Sequence, residues 1–91
     1  MQIVQSPLKT KKWRAIFSDG THTDFGDPNY EDYTQHRDEK RRELYKQRHK
    51  KDLETKDPRR AGLLSYNLLW GPSTSLEQNI REYKKRFGSK L

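Results

Sequence analysis

Ten consecutive residues concentrate the apolar side chains that this chain has to fold around. Residues 61–70 carry seven of them: Ala61, Leu63, Leu64, Tyr66, Leu68, Leu69 and Trp70. Between Arg37 and Arg60, by contrast, only Leu44, Tyr45 and Leu53 are apolar. Leu, Ile, Val and Phe together number 16 of 91 residues, which is below the fifth at which a highly charged chain approaches disorder. Any core must therefore assemble on 61–70, read as a short apolar helix that Gly71-Pro72 ends. A chain of this length makes one domain, 1–91, and buries only about 60–65% of its unfolded surface.

The second source of core is the C-terminal segment. Leu76, Ile80, Tyr83 and Phe87 recur at helical spacing, which predicts an amphipathic helix over 75–87. Thr74-Ser75-Leu76-Glu77 supplies capping-box spacing at its start and Gly88 a C′ residue at its end. Residues 1–29 read as β. Trp13, Ala15 and Phe17 alternate with Lys12, Arg14 and Ile16, Asp19-Gly20 is a turn signal, and Thr21, Thr23 and Phe25 alternate on the return. A β-hairpin is expected, with Ile3 and Val4 as a candidate third strand. Asp27-Pro28 reads as a helix start. The expected fold class is α+β: a small domain with an N-terminal β-hairpin followed by two to three helices. Its core is expected to include Phe17, Phe25, Leu64, Leu68, Leu76, Ile80, Tyr83 and Phe87.

Residues 30–56 form a charged helical region. From Arg37 to Lys51 there are eight basic residues (Arg37, Lys40, Arg41, Arg42, Lys46, Arg48, Lys50, Lys51) against Asp38, Glu39 and Glu43. Asp38 is placed to cap a helix whose first turn holds Glu39, and Glu39–Arg42 and Glu43–Lys46 pair at i, i+3. A second basic cluster, Arg81, Lys84 and Lys85 with Arg86 beside it, lies on the far side of the last helix. The whole chain carries a net charge of +7 with a pI near 9.8, which draws it to phosphate or to acidic protein surfaces. If both clusters shared a face, about six to eight phosphates would be neutralised, with a log–log salt slope near −6. Trp70, Leu69 and Trp13 are the candidate anchors for a partner.

Catalytic chemistry finds little support. There is no cysteine, so disulfides and thiolate chemistry are excluded and a reducing compartment fits. His36 and His49 lie thirteen apart with no close histidine pair, so the acids around them suit turns and caps better than a metal. Neither Ser65 nor Ser73 sits in a nucleophile elbow, and no glycine-rich loop could cradle a phosphate. No apolar run reaches the ~18 residues of a membrane span, and no signal-peptide core is present. No cofactor, metal, small-molecule substrate or membrane is expected, and the protein is expected to be unsecreted.

Phe25-Gly26, Tyr30, Asp32-Tyr33-Thr34, His36, Asp38, Arg42, Tyr45 and Arg48-His49 make a distinctive run. Ala61-Gly62, Leu64-Ser65, Leu69-Trp70, Leu76, Ile80, Tyr83 and Arg86-Phe87 continue it. Over roughly residues 11–87 this pattern resembles a family of small basic proteins encoded by large nucleocytoplasmic DNA viruses, the giant viruses. That family tends to carry a histidine directly before the Phe-Gly pair, where this chain has Asp24 and its nearest histidine is His22. The resemblance implies a viral source, with residence in the virion or in the host cytoplasm and its viral factory, and brings no activity with it. The function expected is a non-enzymatic structural or interaction protein, a minor capsid-associated or cementing component binding acidic surfaces of a protein assembly. The alternative is a sequence-independent nucleic-acid-binding protein associated with the viral genome.

Overall fold

Alternation in the N-terminal third becomes a three-stranded antiparallel sheet, ordered β1-β2-β3, in the computed structural model, which describes residues 1–91. Strand β1 spans Gln2–Gln5, β2 Trp13–Ile16 and β3 His22–Phe25. Ile3 stands opposite Ala15, Ala15 opposite Thr23, and Trp13 opposite Phe25. Successive strand residues face opposite ways. Ile3, Trp13, Ala15 and Phe25 thus share the core face, while Val4, Arg14 and Asp24 share the other. The expected hairpin turn is present, with Gly20 at φ 85°, a conformation open to glycine at no steric cost.

The helices depart from expectation in their boundaries. Asp27-Pro28 opens a turn in which the Asp27 carboxylate accepts from the Asn29 amide at 2.9 Å. The first helix waits for Asp32, which caps α1 (Tyr33–His36) in a reciprocal capping box with Gln35. Asp38 then caps α2 (Glu39–Arg48), accepting from the Lys40 and Arg41 amides at 3.0 and 3.3 Å. A 3₁₀ turn, Lys50–Glu54, follows. The apolar segment begins as α3 (Ala61–Leu64) and runs straight into a π turn, Ser65–Leu69, where the Trp70 amide donates to Ser65 O at 3.2 Å. The last helix, α4 (Leu76–Phe87), is capped by Ser75, one residue later than the Thr74 that the motif suggests. Gly88 stays right-handed (φ −48°) instead of ending the helix as a left-handed C′ residue. The reason is packing: a 3₁₀ turn, Gly88–Lys90, carries Leu91 back into the core.

That core joins the sheet to the apolar segment and α4. Ala15, Phe17, Phe25, Leu64, Leu68, Leu69, Tyr83 and Leu91 are buried, with Trp13, Trp70, Leu76, Ile80 and Phe87 packed at its margin. Two polar side chains inside it satisfy main-chain groups. Asn79 donates to Leu68 O (2.9 Å) and Ser73 O (2.8 Å) and accepts from the Ser73 amide (3.1 Å). Tyr83 Oη donates to Pro58 O at 2.6 Å, and burial raises its hydroxyl pKa above the usual phenol range. Arg59 ties the ends of the molecule together. Its guanidinium donates to Lys90 O (2.8 Å) and Asp19 Oδ2 (2.7 Å) and lies over the Phe17 ring. No helix is long and apolar enough to cross a membrane.

Candidate recognition surface

The helix α2 places five basic residues, Lys40, Arg41, Arg42, Lys46 and Arg48, and its helical period sorts them. At about 100° per residue, Arg42, Tyr45 and His49 fall on the inward side of α2. Glu39 and Glu43 fall on one outer edge, and Lys40, Arg41, Leu44 and Arg48 on the remaining strip. The inward side is held by aromatic stacking. Tyr45 lies 4.2 Å from Trp70 with the rings within 5° of parallel, and His49 covers its other face at 4.1 Å. His36 tilts against Trp70 at 5.2 Å. The result is a continuous column, His36–Trp70–Tyr45–His49, that glues α1 and α2 to the end of the π turn. Burial, and then the nearby negative charge of Asp52, holds the Tyr45 hydroxyl pKa above its ordinary value.

The column explains what the histidines do. His36 Nδ1 accepts from the Asp38 amide at 2.9 Å, while its Nε2 is buried without a partner. Burial, followed by the positive charge of Arg41, lowers its pKa. His49 Nδ1 lies 3.3 Å from Asp52. No group of three His, Asp or Glu side chains is arranged to hold a metal ion.

The basic residues separate into engaged and free sets. Arg42 turns inward: its Nε donates to Trp70 O (3.2 Å) and Gly71 O (2.9 Å), and its guanidinium covers Tyr33. Lys46 lies 3.7 Å from Glu43, and Lys85 3.6 Å from Glu82. Arg37, Lys40, Arg41, Arg48, Lys50, Lys51, Arg81 and Lys84 are exposed and join no ion pair. Of the expected anchors, Leu69 is 2% exposed and belongs to the core, because the π turn directs it inward beside Leu68. Trp13 is half-buried against the core, and Trp70 is half-buried with one face against Tyr45.

Beside this ridge lies a cleft of about 900 Å³, walled by the segment after β3, by α2 and its following turn, and by the apolar segment. Its apolar lining is Phe25, Leu44, Tyr45, Ala61, Leu69 and Trp70, with Tyr30 at the side. Two glycines thin its walls. Gly26, at φ 88°, would bring a Cβ to 3.0 Å from Leu69 and 3.1 Å from Lys12, and a Cβ on Gly62 would meet the Asp52 carboxylate at 2.7 Å. Lys12 and Asp32 close one end through a 2.8 Å ion pair, and Lys12 also donates to Gln35 Oε1 at 2.7 Å. Much of the pattern quoted for the viral resemblance, including Phe25-Gly26, Tyr30, Tyr45, Arg48-His49, Ala61-Gly62 and Leu69-Trp70, lines this cleft. Asp24, in the place of the pattern's histidine, lies outside it, bound by Arg14 (3.0 Å) and Ser6 (2.9 Å). Arg14 and Ser6 both lower the carboxyl pKa of Asp24.

Sequence reasoning does not find the cleft. Its walls come from segments distant in the chain, and glycines needed for close approach look like any others. The pattern of a family of unknown function, DUF5754, matches residues 1–49. No curated protein and no solved structure matches the chain.

Proposed function

This chain belongs to the family of unknown function DUF5754, and we propose that it is a non-catalytic docking module for an acidic protein surface. The observation that carries this reading is the segregation of charge on α2. Of its acids, Asp38 is the N-cap, Glu43 lies against Arg42 and Lys46, and Glu39 stands in the first turn at the positive end of the helix. Lys40, Arg41 and Arg48 form an unpaired strip continued by Lys50 and Lys51. Leu44 within the strip is 50% exposed, and Leu53 in the following turn 46%. An exposed apolar side chain such as Leu44, with Arg41 and Arg48 a turn to either side, suits a protein partner, which can desolvate it; a phosphate backbone rewards only the charge. The aromatic column favours the same choice, since both faces of Tyr45 are occupied and none is left for base stacking. Arg37 adds support: it holds a left-handed backbone (φ 59°) that disfavours side chains, yet projects a free cation. The setting we propose, from the viral resemblance, is a capsid-associated or cementing position within a large DNA virus particle.

The test is charge reversal on the ridge. The variant Lys40→Glu/Arg41→Glu/Arg48→Glu is titrated against poly-glutamate at ~50 mM salt, where unscreened attraction is strong. Binding at least tenfold weaker than wild type is expected, with Lys84→Glu/Lys85→Glu changing it little. Duplex DNA binding more tightly than the polyacid at equal salt, or equal loss in both variants, overturns the reading.

A further inference from the structure

We propose that His36 is a proton-operated latch: its neutral ring holds α1 and the first turn of α2 against Trp70, and acid releases that corner. The ring lies tilted 5.2 Å from Trp70 and edge-on 6.2 Å from Tyr33, and its Nδ1 accepts from the Asp38 amide at 2.9 Å. With Nδ1 accepting, the ring's one proton sits on Nε2, and that atom is buried with no partner. A second proton has only Nδ1 to go to, where the Asp38 N–H already points. The imidazolium would then direct one N–H at another donor and the other into a site without an acceptor. A charged ring with neither donor satisfied is expelled, because water outside serves both.

The surrounding charges do not rescue it. From α2 come the Arg41 cation and Asp38, whose Oδ1 is committed to the Lys40 and Arg41 amides. Before α1 stand Glu31, which is exposed, and Asp32, which is paired with Lys12. The Tyr33 phenol has Arg42 over its ring, and the π turn presents the Trp70 ring. Burial, and then Arg41, outweigh the acids, so the pKa of His36 lies below its ordinary value. The corner is also poised to move. Arg37, between the ring and Asp38, holds a left-handed backbone (φ 59°) that side chains disfavour, and no residue of α2 is buried. A released ring titrates near ~6.5, so at pH ~5 its protonation multiplies the released population by as much as about thirtyfold. Arg42, bonded to Trp70 O and Gly71 O, and Tyr45, stacked on Trp70, stay in place. Acid thus frees Arg37, Lys40 and Arg41, the leading end of the ridge, whatever partner the ridge meets.

Nuclear magnetic resonance on the full chain decides it. At pH ~7.5 ring-to-ring Overhauser contacts should join His36 to Trp70 and Tyr45 to Trp70. At pH ~5, where a free histidine is charged, the first set should be lost and the second kept. The Arg37 and Asp38 amide signals should shift over the same range, while those of buried Ala15 and Tyr83 stay in place. In His36→Asn, whose side-chain oxygen can accept from Asp38 where Nδ1 did but takes up no proton, the two corner amides should ignore pH from ~7.5 to ~5. In His49→Asn their response should persist, since that ring caps the far end of the column. A His36 ring still in contact with Trp70 at pH ~5 overturns the latch. So does an amide response that survives in His36→Asn, or one that arrives only together with loss of the Ala15 and Tyr83 signals as the whole fold melts.

Discussion

Asn79 shows how one polar side chain can be indispensable to an apolar face. It lies on the core side of α4, where the stripe Leu76, Ile80, Tyr83 and Phe87 leads one to expect only hydrophobes. Its amide satisfies two carbonyls and one N–H that the π turn and the loop before α4 leave without helical partners. Asn79→Ala would leave these groups buried and unpaired, a cost of about 2–3 kcal/mol. Urea denaturation monitored by circular dichroism should show it; a loss below about 0.5 kcal/mol would mean that water or the main chain can replace the amide. Nothing in the sequence marks this residue, because an asparagine at a helical position is ordinarily solvated. Tyr83, one turn further along the same helix, was legible as core, but its hydroxyl partner Pro58 was not.

At the level of the helices and strands, local chemistry was readable and long-range geometry was not. The hairpin, the Asp38 cap and the amphipathic final helix follow from short-range rules, and each is present. The π turn is invisible in 61–70 because an apolar run reads the same at either helical pitch, yet it decides that Leu69 is buried while Trp70 reaches the column. The α1–α2 corner carries a testable strain. A left-handed non-glycine residue costs roughly 1–2 kcal/mol, part of which glycine returns through its looser unfolded state. Arg37→Gly is therefore expected to stabilise the protein by about 0.5–1 kcal/mol while weakening polyacid binding. A thermal melt and a poly-glutamate titration read the two effects separately, and a destabilised variant would show that Arg37 makes a contact worth more than its strain.

Across the whole molecule, three titrating groups push stability the same way with pH. The carboxyl pKa values of Asp19, hydrogen-bonded by Thr21 and Arg59, and of Asp24, hydrogen-bonded by Arg14, lie below the ordinary range. Their contribution is present above the unfolded value near ~4 and is lost as pH falls through the lowered folded values. The His36 pKa is also lowered, so its neutral ring contributes fully above ~6.5 and that contribution fades as pH falls below it. Stability measured by urea titration should thus be flat from pH 8 to about 6.5 and decline below it. A second, steeper fall is expected below about pH 4. His36→Gln should remove the first decline alone; an unchanged profile in that variant would assign it to other groups.

The parallel pairing of Tyr45 with Trp70 also gives the protein a built-in optical gauge. Coupled indole and phenol transitions held this close produce a near-ultraviolet circular dichroism band that vanishes when α2 swings away, whereas Trp13, opposite Phe25 in the sheet, senses only the hairpin. With just these two tryptophans in the chain, a single-tryptophan pair of variants would tell whether the basic ridge detaches before the sheet melts, with no dye attached.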